Sequence, residues 1–484
     1  MDKIIGIILG CILGISWIFP GTLFQAILTI IFCFGFIYLF TISEKKLCFF
    51  LIGFISKLIA CYWLSSTVSN FGGFSLFLAI LILLLYSAAS GIFFLIIRYL
   101  YIRNKNLFLI PIFWFITERI FPDLFPWNLS HGLYYFNIQI QAVDIFGTNF
   151  LSLILLYFTI FIFLAFKEKN FKLIIIPIVL LSLNSFYGLK KIKYFNTLTP
   201  LENAYIIQAN VSIDNKSNIS FFNDNTFKYL ELTDQISDSE KSGLILWPES
   251  VMMNWINLDN QDKTPLPNLS PNFNFLIGAL TYKQRGANIF KYNSILSLEN
   301  QKIVNSYHKE ILMPFGEYMP FSNSFPILNN LNPQIPNFNK GLNNKLSNFN
   351  NYKLASLICY EDLIPKLASK YTKLGAQVLT SHSNDAWFGD SPAAKQHNLI
   401  ASFRAIENRR WFLRSTNSGF SAVINPNGKI VKSLDLFKQG VIKTNFKPLD
   451  VKTVFNFLNI NFISLILSIL LLIVFTLKNF LIKK

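Results

Sequence analysis

The chain has 484 residues, of which 52% are hydrophobic and 51 are Phe, and it carries a formal charge of +17. A positive mean hydropathy over that length excludes a wholly soluble protein. Five cysteines and four scattered histidines exclude a zinc site, and only Cys359 lies outside the apolar N-terminal segment, which excludes a disulfide within the polar part.

Apolar residues crowd into roughly the first 190 and the last 30 positions and bracket a polar, Asn-rich centre of roughly 250 residues, long enough to bury its own core. A span needs about 20 apolar residues to cross ~30 Å of hydrocarbon. Candidates fall at 4–20, 22–42, 48–66, 74–100, 107–121, 150–166, 172–188 and 457–477, about eight transmembrane helices. No small-residue cleavage site follows the first, so it is expected to remain as a span. Lys45 and Lys46, Arg103 and Lys105, Lys167, Lys169 and Lys172, and finally Lys478, Lys483 and Lys484 mark alternate connections as cytoplasmic, while Pro20-Gly21 and the loop from Ser66 to Gly73 carry no Lys or Arg. Both termini are then cytoplasmic and the polar domain lies on the far side of the membrane, with Lys190, Lys191 and Lys193 running against the rule. These loops account for part of the positive charge without nucleic acid as a partner. The connection from Glu118 to Asn149, with Phe125-Pro126-Trp127-Asn128, suits an outer interfacial segment; Glu118 reads either as a functional carboxylate or as the point where a span meets water. No charged pair within a span suggests a transport path.

From Ala204 the pattern alternates. Residues 205–208, 244–246, 275–278, 292–298, 354–358, 378–380 and 420–424 read as strands, and 223–237 and 393–411 as helices, which predicts a layered α/β sandwich with active groups at strand ends. In the second helix Arg404, Glu407, Arg409 and Arg410 are expected to pair across turns, with no catalytic role.

Three strand ends are unusual. Leu246-Trp247-Pro248-Glu249-Ser250 stops a buried strand and presents a carboxylate, although a glutamate there is equally a helix cap. Lys309 lies in Tyr307-His308-Lys309-Glu310, ahead of Met313-Pro314-Phe315-Gly316-Glu317-Tyr318; a lone lysine is more often solvated surface. Leu354 to Ile358 ends at Cys359, with Asp362 read as the cap of a helix starting at Leu363. A strand-to-helix turn exposes a nucleophile and aims backbone N–H groups at it, whereas the bland alternative is a small buried hydrophobe. Together the three supply a base for the thiol proton, a cation for thiolate and oxyanion, and a nucleophile for a carbonyl.

Trp-Pro-Glu-Ser, His-Lys followed by Pro-Phe-Gly-Glu-Tyr, and Cys-Tyr-Glu, in that order, resemble the nitrilase (carbon–nitrogen hydrolase) superfamily of Glu-Lys-Cys enzymes. With the flanking spans, Phe-Pro-Trp and Ser383-Asn384-Asp385-Ala386-Trp387-Phe388-Gly389, nearly the whole chain resembles the bacterial apolipoprotein N-acyltransferase family. The resemblance implies a membrane helical bundle (1–195, seven helices), an extracytoplasmic nitrilase-like αββα sandwich (201–450), and a last transmembrane helix with a cytoplasmic tail (455–484). It implies Glu249 as general base, Lys309 as oxyanion-stabilising cation, Cys359 as nucleophile, Glu317 as a supporting acid, and Tyr360, Glu361 and Trp387 as walls of the substrate pocket. It implies no cofactor or metal, and a monomer in the plasma membrane that passes a phospholipid acyl chain, through a Cys359 thioester, to the N-terminal amine of diacylglyceryl-modified apolipoproteins. The segment around Gln208 to Lys216 departs from the family at Ser217, where tryptophan is frequent.

The Asn-, Pro- and Phe-rich segment 321–351 is expected to be a mobile lid whose Phe325, Ile327 and Leu328 touch lipid, with plain disorder as the alternative. Three other functions stay open: a membrane-tethered amide or nitrile hydrolase, a lipid-binding transporter or receptor, and a Cys-His protease using His382 or His397.

Overall fold

Hydrophobic runs that alternate with polar turns pair here into two stacked sheets. The computed structural model describes every residue except 71, 213–221, 261–266, 323, 328–334, 343–344, 350–351, 458–465 and 467–484. The polar domain has strands β1 (Glu202–Gln208), β2 (Gly243–Leu246), β3 (Met252–Asn257), β4 (Phe273–Arg285), β5 (Asn288–Glu299), β6 (Lys302–His308), β7 (Ser347–Phe349), β8 (Tyr352–Ile358), β9 (Val378–Ser383), β10 (Trp411–Thr416), β11 (Ser421–Ile424), β12 (Ile430–Leu434) and β13 (Gly440–Phe446). One sheet runs β13-β1-β2-β4-β5-β6, with β3 also on β4; the other runs β12-β11-β10-β9-β8-β7. The central pairs β1–β2–β4 and β8–β9–β10 are parallel, which brings the C-terminal ends of β2 and β8, and hence Glu249 and Cys359, to the same end of the domain.

Ala204, Ile206, Leu244 and Leu246 of the first sheet meet Leu354, Leu357, Leu379 and Leu413 of the second in the inner core. The outer face of the first sheet is covered by the helix Phe222–Ser239, whose Tyr229, Leu232 and Ile236 pack near Trp247. The second sheet is covered by Pro365–Lys373 and Ala393–Asn408, which completes an αββα order.

The N-terminal part is helical: α1 (Asp2–Ser16), α2 (Leu23–Ile42), α3 (Lys46–Ala60), α4 (Trp63–Asn70), α5 (Leu76–Asn104), α6 (Ile110–Ile120), α7 (Val143–Lys167) and α8 (Ile175–Asn196). Gly6, Gly10 and Gly14 form one stripe on α1, where a Cβ would meet α3 backbone oxygens at 2.4, 3.0 and 2.9 Å; small residues let the two backbones touch. Among the described residues four helices are long and apolar enough to cross a membrane, or five if α3 and α4, bent by 55°, form one span. The shortfall from about eight has physical causes. Helix α1 is only 15 residues long and α6 only 11, Cys61 and Tyr62 interrupt the expected 48–66 span, and 458–465 and 467–484 lie outside the described residues.

The helix Ala393–Asn408 is wedged between the second sheet and the bundle, so every residue in it except Lys395 is buried. Its far face, with Leu399, Ile400, Phe403 and Ile406, joins the bundle core. Arg404 does pair with Glu407 three residues on, but Arg409 leaves the helix to bind Asp144 at 2.8 Å and Gln141 at 2.7 Å, and Arg410 donates to the carbonyls of Ala376 and Val451. Asp144 also takes Lys191 of α8 at 3.5 Å, so at least one lysine of the cluster that ran against the charge rule is paired within the bundle.

Two expectations about the membrane part change. Lys57, inside a predicted span, is buried and pairs with Asp123 at 2.8 Å. Glu118 does not simply mark a water boundary: it accepts from Trp114 Nε1, Leu129 N–H, Ser152 Oγ and Asn149 Nδ2, and so ties α6 to the interfacial segment and α7.

Candidate active site

Glu249 stands just after β2 because Pro248 ends the strand and β4 carries glycine opposite it. A Cβ on Gly278 would lie 2.0 Å from the Pro248 oxygen and 2.7 Å from Glu249 Cα, so only glycine lets the turn settle there. Glu249 Oε1 accepts from Asn293 Nδ2 at 2.7 Å and faces Lys309 Nζ at 3.5 Å, while Oε2 accepts from the Asn384 N–H at 3.1 Å.

Lys309 follows β6 and is 1% exposed, so the reading of it as solvated surface falls away. Its ammonium lies 2.8 Å from Glu317 Oε2, and its N–H bonds the Asn293 carbonyl at 2.9 Å. Burial pushes the ammonium towards the neutral form, but Glu317, Glu249 and the Cys359 thiol together outweigh it and hold the proton more firmly than in water. Glu317 is itself fixed by Asn293 Nδ2 at 2.9 Å and the Met313 N–H at 2.8 Å. One asparagine amide thus spans both carboxylates.

Cys359 sits at the C-terminal end of β8 with φ +50°, a left-handed conformation that costs a non-glycine residue about 1–2 kcal/mol. Burial and the nearby Glu249 raise its thiol well above the ordinary range, against the opposing pull of Lys309 and a hydrogen bond from Ser383. Burial thus favours the protonated thiol, and a base is needed to take its proton as the electrophile arrives.

The turn after Cys359 differs from expectation. Cys359–Leu363 is a short 3₁₀ helix and the α-helix starts at Pro365, so Asp362 caps nothing. It is sealed instead in a charge cluster: Oδ1 meets His397 Nε2 at 2.6 Å, and Oδ2 takes Ser381 Oγ at 2.6 Å and Arg414 Nε at 3.1 Å. Asp385 completes it, 3.1 Å from both Arg414 and His397 and accepting Ser383 Oγ at 2.6 Å.

Glu361, expected on the pocket wall, is wholly enclosed. It accepts from Ile358 N–H, Glu310 N–H, Ile311 N–H and Tyr307 Oη, and burial raises its carboxyl to about 7. Its place is to hold the Cys359 turn and the segment after Lys309 in register, and no oxygen is left facing a substrate. Tyr360 is half-buried against the helical bundle, and Trp387 is 39% exposed at the domain surface. His382 gives its Nδ1 to the Trp247 carbonyl and burial lowers it to about 4, so it is a neutral strut between sheets rather than a thiol partner.

The described part of 321–351 is tied to the rest of the domain at several points. It contains strand β7, and its Phe338 and Gly341 N–H groups bond the carbonyls of Glu317 and Lys309 at 2.9 and 2.7 Å. Phe325 and Ile327 remain strongly exposed, while Leu328 and Ser217 lie outside the described residues. Asn293 and Arg414 escaped sequence reasoning, and Ser383, Asn384 and Asp385 entered it only as part of a motif, with no role; the signal for Asn293 and Arg414 is polarity inside a strand.

Comparison with known proteins bears on both halves of the chain. A family model described as carbon–nitrogen hydrolase matches residues 220–454, and one described as apolipoprotein N-acyltransferase N-terminal domain matches residues 9–161. The chain is similar to proteins named apolipoprotein N-acyltransferase from Wigglesworthia glossinidia brevipalpis (30% identity; 78% of this chain, 78% of that one) and Borreliella burgdorferi (31%; 71% and 70%). One from Rickettsia prowazekii is 28% identical over 94% of each chain.

Proposed function

The chain belongs to the apolipoprotein N-acyltransferase family, and we propose that it carries out an acyl transfer from phospholipid to the N-terminal amine of diacylglyceryl-modified lipoproteins through Cys359. It is a multi-pass membrane protein whose C-terminal half has the nitrilase-like fold. The observation that carries the reading is the buried Glu249–Asn293–Glu317 array closed by Lys309, with the Cys359 thiol inside its field.

Glu249 takes the Cys359 proton as the thiolate attacks the ester carbonyl. Lys309 stabilises the oxyanion, and Glu317 and Asn293 keep that ammonium charged and fixed. The C–O bond then breaks, Glu249 returns the proton to the glycerol oxygen, lysophospholipid leaves, and an acyl thioester stays on Cys359. In the second half the lipoprotein amine attacks the thioester, Glu249 accepts its proton, the C–S bond breaks and the thiol is restored beside a new amide. This is ping-pong order. Fusion to the bundle fits substrates that both reside in lipid and a thioester that must be kept from water. The same reading puts the catalytic domain, 201–450, outside the cytoplasm, the bundle, 1–195, in the plasma membrane, and segment 455–484 as a returning span, with the chain working as a monomer.

Mass spectrometry of the purified protein mixed with phospholipid tests this. A fatty-acyl mass gain on Cys359, absent from Cys359→Ser and discharged by a diacylglyceryl-cysteine peptide, is expected; a thioester that only water discharges would mark a hydrolase instead. Exposed Phe325 and Ile327 are read as the lipid-touching tip of 321–351, so Phe325→Ser with Ile327→Ser should slow thioester formation several-fold. Loading at the wild-type rate would remove that role.

A further inference from the structure

Between α3, α5, α6 and the Phe125-Pro126-Trp127 segment lies a cavity of about 240 Å³ whose walls include Lys57, Tyr86, Glu118, Arg119, Asp123 and Trp127. Cys359 does not line it. The link is Tyr360, the next residue, which packs on the same helical core and lies close enough to Asp123 to feel its charge.

The charged walls are unequally engaged. The Lys57 ammonium is spent on Asp123 and on the faces of Trp127 at 4.3 Å and Tyr86 at 4.8 Å. Asp123 in turn accepts from Tyr86 Oη and the Phe125 N–H, and both Glu118 oxygens are taken by Trp114, Leu129, Ser152 and Asn149. Arg119, half-buried in the last turn of α6, has no hydrogen bond or ion pair among the described residues. A half-buried guanidinium beside a cavity, with its acidic neighbours already satisfied, is a fork built for an anion.

We propose that this cavity holds the phosphodiester of the acyl-donor phospholipid, with Arg119 on its free oxygens. The inference rests on the acyltransferase reading and adds where the donor's headgroup sits. A phosphate seated there lies against the helical core on which Tyr360, the neighbour of the nucleophile in sequence, also packs.

The test compares acyl loading of Cys359 from a phospholipid and from diacylglycerol, which has the esters but no phosphate. Arg119→Gln should slow loading from phospholipid roughly 10- to 100-fold, the size of one lost charge-assisted bond, and leave diacylglycerol loading unchanged; Arg119→Lys should recover part of the loss. Equal slowing with both donors, or none with either, overturns the assignment. A free-phosphate site would show as inhibition of wild-type loading by inorganic phosphate, lost in Arg119→Gln, with phospholipid loading alone the same in both proteins, and it also overturns the headgroup reading. Should Arg119→Gln not fold, competition by glycerophosphoethanolamine against phospholipid, but not diacylglycerol, in the wild type decides. A wild type that loads from neither donor overturns the acyltransferase reading itself.

Discussion

Lys309→Met is expected to abolish thioester formation and to destabilise the catalytic domain by about 3–5 kcal/mol, the usual consequence of removing one partner from a buried ionic group. The ammonium is 2% exposed and lies between two carboxylates that share a single asparagine amide. Without it, Glu249 and Glu317 cannot both stay ionised in a site closed to water, and one will take up a proton. If that one is Glu249, the base is lost along with the oxyanion cation, so the rate should fall by more than the roughly 10²–10³-fold of a missing oxyanion donor. Thermal unfolding in detergent and acyl-enzyme mass measure the two effects separately. Adding Glu317→Gln to Lys309→Met should restore much of the stability and none of the activity, because it removes the surplus charge without supplying a cation. A Lys309→Met protein as stable as wild type would mean that the carboxylates are already neutral, and the proposed proton path would fail.

The three strand ends were legible in sequence because each breaks a rule locally: a proline and an acid after a buried strand, a lysine among aromatics, a thiol ending an apolar run. What was not legible depends on contacts between residues tens to hundreds of positions apart. Glu361 sits in the Cys-Tyr-Glu motif and so invites a substrate role, but its three backbone donors and Tyr307 come together only once β6 and β8 lie in opposing sheets. Helix Ala393–Asn408 carries the charges of a solvated helix and is buried except at Lys395, since the membrane bundle covers its far face and supplies Asp144, 265 residues away, to Arg409 at its end. Where helices break is illegible for a related reason. Composition shows which segments are apolar, but Gly147, with φ +75° inside α7, and the break at Cys61 and Tyr62 are fixed by packing.

The charge cluster behind the nucleophile should set the upper pH limit of stability. Asp362, Asp385 and Arg414 sum to one negative charge in a region without water, and a proton on His397 brings the total to zero. Burial alone would strip that proton, but Asp362, with Asp385 behind it, outweighs both burial and the repulsion of Arg414, and lifts His397 from 6.5 to about 9. A group whose pKa is raised on folding contributes its full stability below its unfolded value and loses it as pH climbs through the folded one. The unfolding free energy should therefore be level below about pH 6.5 and fall between there and about pH 9, by up to ~3 kcal/mol, with midpoints moving the same way and no such fall in His397→Gln. Activity should follow, because the cluster holds Asp385 and Ser383, the Ser383 hydroxyl reaches the Cys359 thiol, and the adjacent Asn384 N–H holds Glu249. Arg414→Met leaves both aspartates facing a single imidazolium, so it should be the more damaging change, at about 3–5 kcal/mol. A wild-type midpoint that stays flat from pH 6.5 to 9.5 would mean His397 is neutral, and the cluster would then leave its negative charge to act directly on the thiol.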